Sequence, residues 1–401
     1  MPAVNPLLAA RDGRLFLAAQ ALDSVSLGFA GVVLPWLVLQ GGGSHAAAGL
    51  VYPVTLVPYL AFGLPAGALA DRLPRRTVML VSHALQAAFG TAIPLWTISG
   101  QPPLALIFAA AFAIGSGRVF ADAAAFGAVA AVVGPEQFTG GQAMLSAAWS
   151  IGLFAGPALG GALIGLVGAG FAMTAEAAAF VLAAVLILAI RSPFHAGPAE
   201  PAGQPPGAIR EALGFMLRDP VVRTYTAVTF FSPLASAGDN ALLVPLFRDG
   251  IGLSAGAVGW LLGAAALASA LASPAVAPLC RRFGAGKVAA CGLLLTPLPV
   301  AGLAAASGVG TALAALLPFE LLSWSMGVLW IGERQRRAPE RLQARVGITG
   351  RMITLAGATA GAGWASGLAG ALTITQVYLV MAAAALAVGA CAAPLILRLE
   401  R

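Results

Sequence analysis

Along this chain apolar residues run in long stretches, separated by short polar joins. A helix needs roughly 20 residues to cross about 30 Å of hydrocarbon. That ruler predicts spans near 14–40, 46–70, 77–99, 103–130, 142–166 and 170–190, then near 222–247, 254–279, 286–306, 310–332, 346–370 and 374–397. Glycine, proline and serine punctuate the joins, as in Gly41-Gly42-Gly43-Ser44, Gln101-Pro102-Pro103 and Gly134-Pro135. The pattern predicts an all-α membrane protein with twelve transmembrane helices.

The basic residues test that count. Twenty of the 22 lysines and arginines fall at the N-terminus, the C-terminus or in alternate joins. They are Arg11 and Arg14 before span 1; Arg72, Arg75 and Arg76 after span 2; and Arg191, Arg210, Arg218 and Arg223 after span 6. Arg281, Arg282 and Lys287 follow span 8, Arg334 through Arg351 follow span 10, and Arg398 and Arg401 close the chain. Only Arg248 falls in an opposite join, and Arg118 lies inside span 4. Cytoplasmic loops collect Lys and Arg, so both termini are expected in the cytoplasm and the protein in the cytoplasmic (inner) membrane. The first apolar run is longer than a signal h-region and lacks a small-residue cleavage site, so it reads as a retained first helix.

Composition agrees. Of 401 residues 59% are hydrophobic and 9% charged, against about 25% charged in a soluble domain. Too few charges are available to wet a soluble surface. A net charge of +7 might suggest nucleic acid, but the basic residues are scattered as topology signals rather than gathered on one face. No nucleic-acid partner is expected. Cys280, Cys291 and Cys391 form no disulfide framework or metal pattern, and no phosphate-binding Gly-Lys loop occurs. No catalytic residue, cofactor or metal is therefore expected, and the short loops leave no room for a soluble enzyme domain.

The longest polar segment lies mid-chain. It divides the sequence into an N-terminal six-helix bundle (1–190), a cytoplasmic linker with an amphipathic helix (191–221) and a C-terminal six-helix bundle (222–401). His195 to Pro206 reads as flexible linker and Ala208 to Arg218 as the surface helix. The halves repeat: at an offset of 210 Pro35 matches Pro245, Ser44 matches Ser254, Gly49 matches Gly259 and Arg72 matches Arg282. Gly134-Pro135-Glu136 later aligns with Ala338-Pro339-Glu340. Two repeated bundles suit alternating access around a site between them.

After span 2 stands Gly67-Ala68-Leu69-Ala70-Asp71-Arg72-Leu73-Pro74-Arg75-Arg76. This resembles the signature G-x-L-a-D-R-x-G-R-[KR] of the major facilitator superfamily, with Pro74 where glycine is usual. The second-half copy, around Arg281-Arg282, is degraded. In span 5, Gly152-x-x-x-Gly156-Pro157-x-x-Gly160-Gly161 resembles the motif of the superfamily's antiporters. Together with Gly117-Arg118-Val119-Phe120-Ala121-Asp122, it is similar to the branch of macrolide-efflux and siderophore-export proteins. The resemblance implies a major facilitator fold, normally monomeric, and a gate in which Asp71 bonds to a helix end when the inside is closed. Glu136 and Glu340 read equally as partners for Arg72/Arg76 and Arg281/Arg282 or as ordinary topology charges. The glycines share one face and permit close helix approach.

Ionisable residues inside spans are costly unless paired or wet, and mark candidate function. Asp23 in span 1 and Asp239-Asn240 in span 7 lie on corresponding helices, which in the superfamily line the central cavity. These are first candidates for substrate or proton binding. Arg118 and Asp122, four apart on one face, can pair within span 4; this pair reads first as structural or gating, with proton movement as the other reading. Glu176, Glu320 and His83 complete the set, His83 as a satisfied polar residue. Trp149 and other aromatics can stack on an apolar substrate.

The expected function is proton-coupled export of a small amphipathic compound such as a drug or secreted metabolite, with the lipid bilayer, substrate and protons as partners. One rival is a lysophospholipid flippase, because Gly238-Asp239-Asn240-Ala241-Leu242 is similar to a segment of such transporters. Another is a non-transporting scaffold or sensor.

Overall fold

The computed structural model describes residues 11–133, 138–192, 194, 208–236 and 238–399. Glu136 and the side chains of Asp71 and Asp239 lie outside the described part, as does the linker segment 195–207. Among the described residues all regular structure is helical, as an apolar solvent requires, since only a helix satisfies every backbone group within one segment. The helices are α1 (Arg11–Gln40), α2 (His45–Arg72), α3 (Arg75–Thr97), α4 (Leu104–Val133), α5 (Phe138–Val167), α6 (Ala169–Ala189), α7 (Ala208–Arg218) and α8 (Pro220–Ser236). There follow α9 (Gly238–Pro245), a π turn at Leu246–Gly250, α10 (Ala255–Phe283), α11 (Ala285–Leu295) and α12 (Pro297–Ala304). Three long helices end the chain: α13 (Val309–Arg337), α14 (Glu340–Leu368) and α15 (Ile374–Leu399).

Nine helices among the described residues are long and apolar enough to cross a membrane, ten if the segments Ala255–Ala270 and Ala275–Phe283 of α10, which meet at 51°, count as one span. The region expected as span 7 is helical over Pro220–Ser236 and Gly238–Pro245, on either side of residue 237, which lies outside the described residues. α14 has the length, at 29 residues, but Arg341, Arg345, Arg351 and its many Gly and Thr residues dilute its hydropathy. The expected span 286–306 is built from α11 and α12, with Pro297 starting the second at a position where its missing N–H is harmless.

Two compact units emerge. The first comprises Met1–Gly43, Val54–Gly203 and Ser254–Gly263; the second comprises Ser44–Pro53, Gln204–Leu253 and Ala264–Arg401. In the first, α1 packs on α5 and α6, and α3 on α4 and α6. In the second, α8 packs on α14 and α15, and α15 also on α11 and α12. The pairings correspond, helix for helix, as the sequence repeat requires. Phe16, Met79, Leu145 and Ile187 are buried at the core of the first unit, and Tyr225, Leu293, Met326 and Ile396 at that of the second.

The repeat extends to local devices. Gly42 and Gly252 adopt φ of 80° and 79°, a left-handed turn that suits glycine. Two residues later Ser44 and Ser254 cap α2 and α10, their Oγ atoms accepting from the N–H of Ala47 (3.1 Å) and Ala257 (3.4 Å). The helix α8 is capped likewise, Asp219 Oδ1 accepting from Val221 and Val222 N–H at 2.9 Å each.

Surface helix α7 docks by Ala212 and Met216, both 0% exposed, against Val222, Ala338, Leu342 and Val346. Glu211 on its outer side pairs with Arg341 and Arg345. Burial outweighs these exposed charges: Met216→Ala should cost about 2–5 kcal/mol, and Glu211→Ala no more than about 1 kcal/mol. Melting curves of the detergent-solubilised protein check the order. A larger loss for Glu211→Ala would mean that the ion pairs, not the apolar contact, hold the helix.

Candidate functional site

The first unit gathers charge inside its membrane-spanning part. Residues Gly115 and Gly117 begin the arrangement. A Cβ at Gly115 would strike the Thr55 carbonyl of α2, and one at Gly117 would come within 2.6 Å of Gln86 Cγ on α3. Their absence lets α4 press on both helices, as small residues do in membrane packing. Arg118 follows directly and points inward, 5% exposed.

Its guanidinium holds two carboxylates. Nη1 lies 2.8 Å from Asp23 Oδ2 on α1, and Nε lies 2.8 Å from Asp122 Oδ1 one turn along α4. Side-chain exposure differs sharply: 1% for Asp23 and 18% for Asp122. Tyr59 on α2 donates to Asp122 Oδ2 at 3.2 Å. The ring of Trp149 on α5 lies 5.6 Å from the guanidinium carbon, within cation–π range, and its indole N–H faces buried Gln20 at 3.4 Å. Two carboxylates on one guanidinium leave a formal charge of −1.

His83 on α3 borders this cluster, with Nδ1 3.8 Å from Asp23 Oδ1 and 3.2 Å from Gln86 Oε1. The Gln86 amide N–H donates to the Ile114 carbonyl at 3.2 Å, which turns its oxygen toward His83. This network assigns the hydrogen to Nδ1. Nε2 is then a lone pair, buried and without a hydrogen-bonding partner among the described residues. His83 thus turns Nδ1 toward Gln86 and Asp23 and bonds to the first of them.

Arg118 and Asp122 pair as their spacing predicts, but Asp23 joins them rather than standing apart as an independent site. Glu176 on α6 is 2% exposed, and neither oxygen has a described hydrogen-bonding partner; no ion pair links it to Arg118. Asn240 on α9 is exposed. Three further contributors, Gln20, Tyr59 and Gln86, escaped the sequence reading because neutral polar residues carry no charge signal.

Among the described residues, two of the gating arginines bond to carbonyl oxygens; Glu136, the expected partner of Arg72 and Arg76, lies outside those residues. Arg75 donates to the Gly127 carbonyl at 2.9 Å, and Arg76 donates to the carbonyls of Ile190 and Ser192 and covers the Phe194 ring at 5.1 Å. Arg76 therefore caps the C-terminal end of α6, where cations are favoured, whereas the carbonyl that Arg75 meets lies within α4. Arg72, Arg281, Arg282 and Glu340 are exposed, and among the described residues Glu340 makes no ion pair with either arginine. Around Gly67 there is open space. Arg334, expected in a loop, is buried at the end of α13 and donates to Thr229 Oγ1 at 3.2 Å.

The antiporter-like motif is a packing seam within the first unit. Gly152 abuts Ser24, and Gly156 abuts Val25 and Phe29 of α1. Pro157 Cδ lies where a Cβ on Gly28 would fall, and Gly160 faces Phe29. Gly161 meets Ala255 and Gly259 of α10. A counterpart in the second unit was not evident from sequence. Gly357 and Gly361 of α14 abut Phe230 and Leu234 of α8, and Ser366 meets Gly49 of α2.

Among the described residues the fold is all-helical, in two units whose helix pairings correspond, with a buried charge cluster in the first. The pattern of the Major Facilitator Superfamily matches residues 16–348, and the chain belongs to that superfamily of membrane transporters. It is 31% identical over 250 residues, 55% of its length, to the multidrug efflux pump Tap of Mycobacterium tuberculosis, and spans about half (54%) of that pump. Identity to Tap of Mycolicibacterium fortuitum is 30% over 62% of this chain and 65% of that one. The enterobactin exporter EntS of Shigella dysenteriae is 24% identical over 64% of this chain and 61% of EntS. In fold the chain resembles the nucleoside transporter NupG, with a TM-score of 0.80 at 12% identity over 96% of this chain and 99% of NupG. It also resembles an inward-facing bacterial homologue of the ferroportin iron transporter, with a TM-score of 0.72 at 17% identity over 97% and 98%.

Proposed function

We propose that this protein exports small amphipathic compounds across the cytoplasmic membrane in exchange for protons, by alternating access of two six-helix bundles with both termini inside. The Asp23–Arg118–Asp122 cluster carries this reading. Its charge of −1 inside the membrane is costly, and a single added proton brings it to zero. Asp122 is the wetter carboxylate, so it is the entry point for the proton. Once Asp122 is protonated, Arg118 is left to Asp23 alone, and Tyr59 loses its ionised acceptor. Such a rearrangement links α1, α2 and α4, which is what coupling to a conformational change requires. The similarity to Tap and EntS supports efflux as the direction.

The test is uptake of ethidium into proteoliposomes under an imposed pH gradient. Wild type should accumulate dye, and Asp122→Asn, which cannot exchange a proton there, should lose at least about tenfold of gradient-driven uptake. If Asp122→Asn retains gradient coupling, the proton site lies elsewhere. If wild type moves no dye under any gradient, multidrug export falls and lysolipid becomes the next substrate to assay.

A further inference from the structure

A buried cation in the second unit has no counter-charge among the described residues. Arg334 belongs to the last turn of α13 and is 3% exposed. A Cβ on Gly350 of α14 would fall 2.5 Å from its Nη1 and 2.7 Å from its Cζ, so the guanidinium lies against the main chain of that helix. No described carboxylate pairs with it. Glu333, its neighbour in sequence, turns instead to Arg336 and Arg337, at 2.6 and 3.9 Å. Arg334 Nη1 donates to Thr229 Oγ1 on α8 at 3.2 Å, but a hydroxyl is neutral and answers one N–H of five. The carbonyl end of α13 offers roughly half a negative charge, which offsets part of the ion and not the whole. A charge held this far from water calls for a full counter-ion.

Two further donors stand beside it. Trp330, one turn back on α13, is 5% exposed, and its indole N–H, which can only donate, has no hydrogen-bonding partner among the described residues. Thr226 on α8, 9% exposed, has no described partner for its hydroxyl either. Hydroxyls on a helix commonly return to the carbonyl one turn back, as Thr224 does to Pro220 (2.8 Å) and Ser236 to Ser232 (3.0 Å) on the same α8. Thr226 does not, and its proton is uncommitted. Thr229 donates to the Thr226 carbonyl at 2.9 Å, and the two threonines, three apart, share one face of α8. A guanidinium, an indole N–H and an uncommitted hydroxyl carry one positive charge in total and offer donors. That is the chemistry that recognises a small monoanion.

We propose that Arg334, Trp330 and Thr226 bind one small monovalent anion, of the size of chloride, inside the second unit between α8 and α13. The anion brings the cluster to zero charge and gives the indole and the hydroxyl their acceptor. Size selection follows from enclosure: all three side chains are at least nine-tenths buried, and Gly350 closes one side of the guanidinium. The halide is a resident ligand that ties α8 to α13, not a cargo. The site makes no use of the Asp23–Arg118–Asp122 cluster and stands whether or not protons drive export.

The test uses the full chain purified in detergent in sodium gluconate, whose anion is too large for the site, with chloride replacing gluconate at constant ionic strength. Wild type should melt about 3 °C or more higher in saturating chloride and bind one radiolabelled chloride per chain in equilibrium dialysis. Arg334→Gln removes the charge and can still donate to Thr229. It should bind no chloride, lose the shift, and melt in gluconate no lower than wild type, because no uncompensated ion remains. Trp330→Phe keeps an aromatic ring and removes the N–H; it should weaken chloride roughly tenfold. The proposal is overturned if wild type melts alike in both salts, if Arg334→Gln still binds chloride, or if Trp330→Phe binds it with unchanged affinity. Arg334→Gln melting well below wild type in gluconate overturns it as well, since the guanidinium then stabilises the fold without an anion.

Discussion

Replacing Arg118 by alanine is expected to abolish gradient-driven transport and to destabilise the protein by about 3–5 kcal/mol, the cost of stranding a buried charge whose partner is removed. Asp23 is 1% exposed and cannot recover its hydration by rotating to water. Arg118→Lys keeps the charge, but an ammonium cannot reproduce the planar fork that sets Nε on Asp122 and Nη1 on Asp23 at 2.8 Å each; most of the stability should return and only part of the transport. The double variant Arg118→Ala with Asp23→Asn removes the stranded charge. It should melt closer to wild type than Arg118→Ala while remaining inactive. Melting in detergent and dye uptake in proteoliposomes separate the two effects, and normal coupling in Arg118→Ala would remove the cluster from the mechanism.

That cluster also marks how far the sequence could be read. The i, i+4 spacing of Arg118 and Asp122 is a local signal, and it predicts their contact correctly. Asp23 lies 95 residues earlier, and its arrival at the same guanidinium depends on how closely α1 and α4 approach. Gly115 and Gly117 set the approach of α4 to α2 and α3, yet nothing in their spacing names the partner helix. Helix positions were legible for a related reason: apolar runs and Gly, Pro and Ser breaks act locally, so the expected 374–397 is α15, Ile374–Leu399. Where the local signal is weak, as with the charges and glycines of α14, a span count from hydropathy and the helices themselves diverge. The second glycine seam, Gly357 and Gly361, was hidden because it lacks the Gly-Pro pair that makes Gly156-Pro157 recognisable. The arginines after span 2 were legible as topology charges, but not as donors to the carbonyls of Gly127, Ile190 and Ser192, since carbonyls have no sequence signature.

The glycine seam should act on transport through the charge cluster. A Cβ at Gly156 would meet the Val25 carbonyl, and would come within 2.8 Å of Phe29 N and 2.9 Å of Gly28 Cα. All three are backbone atoms, so no side chain can rotate away and α1 as a whole must move. Overpacking of this kind costs about 1–3 kcal/mol. Because Asp23 precedes Val25 by two residues on α1, the same displacement stretches the Asp23–Arg118 contact. Gly156→Ala is therefore expected to lower both the melting temperature and the gradient-driven dye uptake. Gly165→Ala, on the same helix with open space at its Cβ, should gain up to about 1 kcal/mol from helix propensity and leave uptake unchanged. Gly361→Ala in α14, where the Cβ would lie 2.6 Å from the carbonyls of Pro233 and Leu234, offers the sharper control. It imposes a comparable clash in the second unit without moving α1, so it should reduce stability while leaving the pH dependence of transport intact. If Gly156→Ala and Gly361→Ala shift that pH dependence equally, α1 spacing does not govern the cluster, and the seam serves only to hold the helices together.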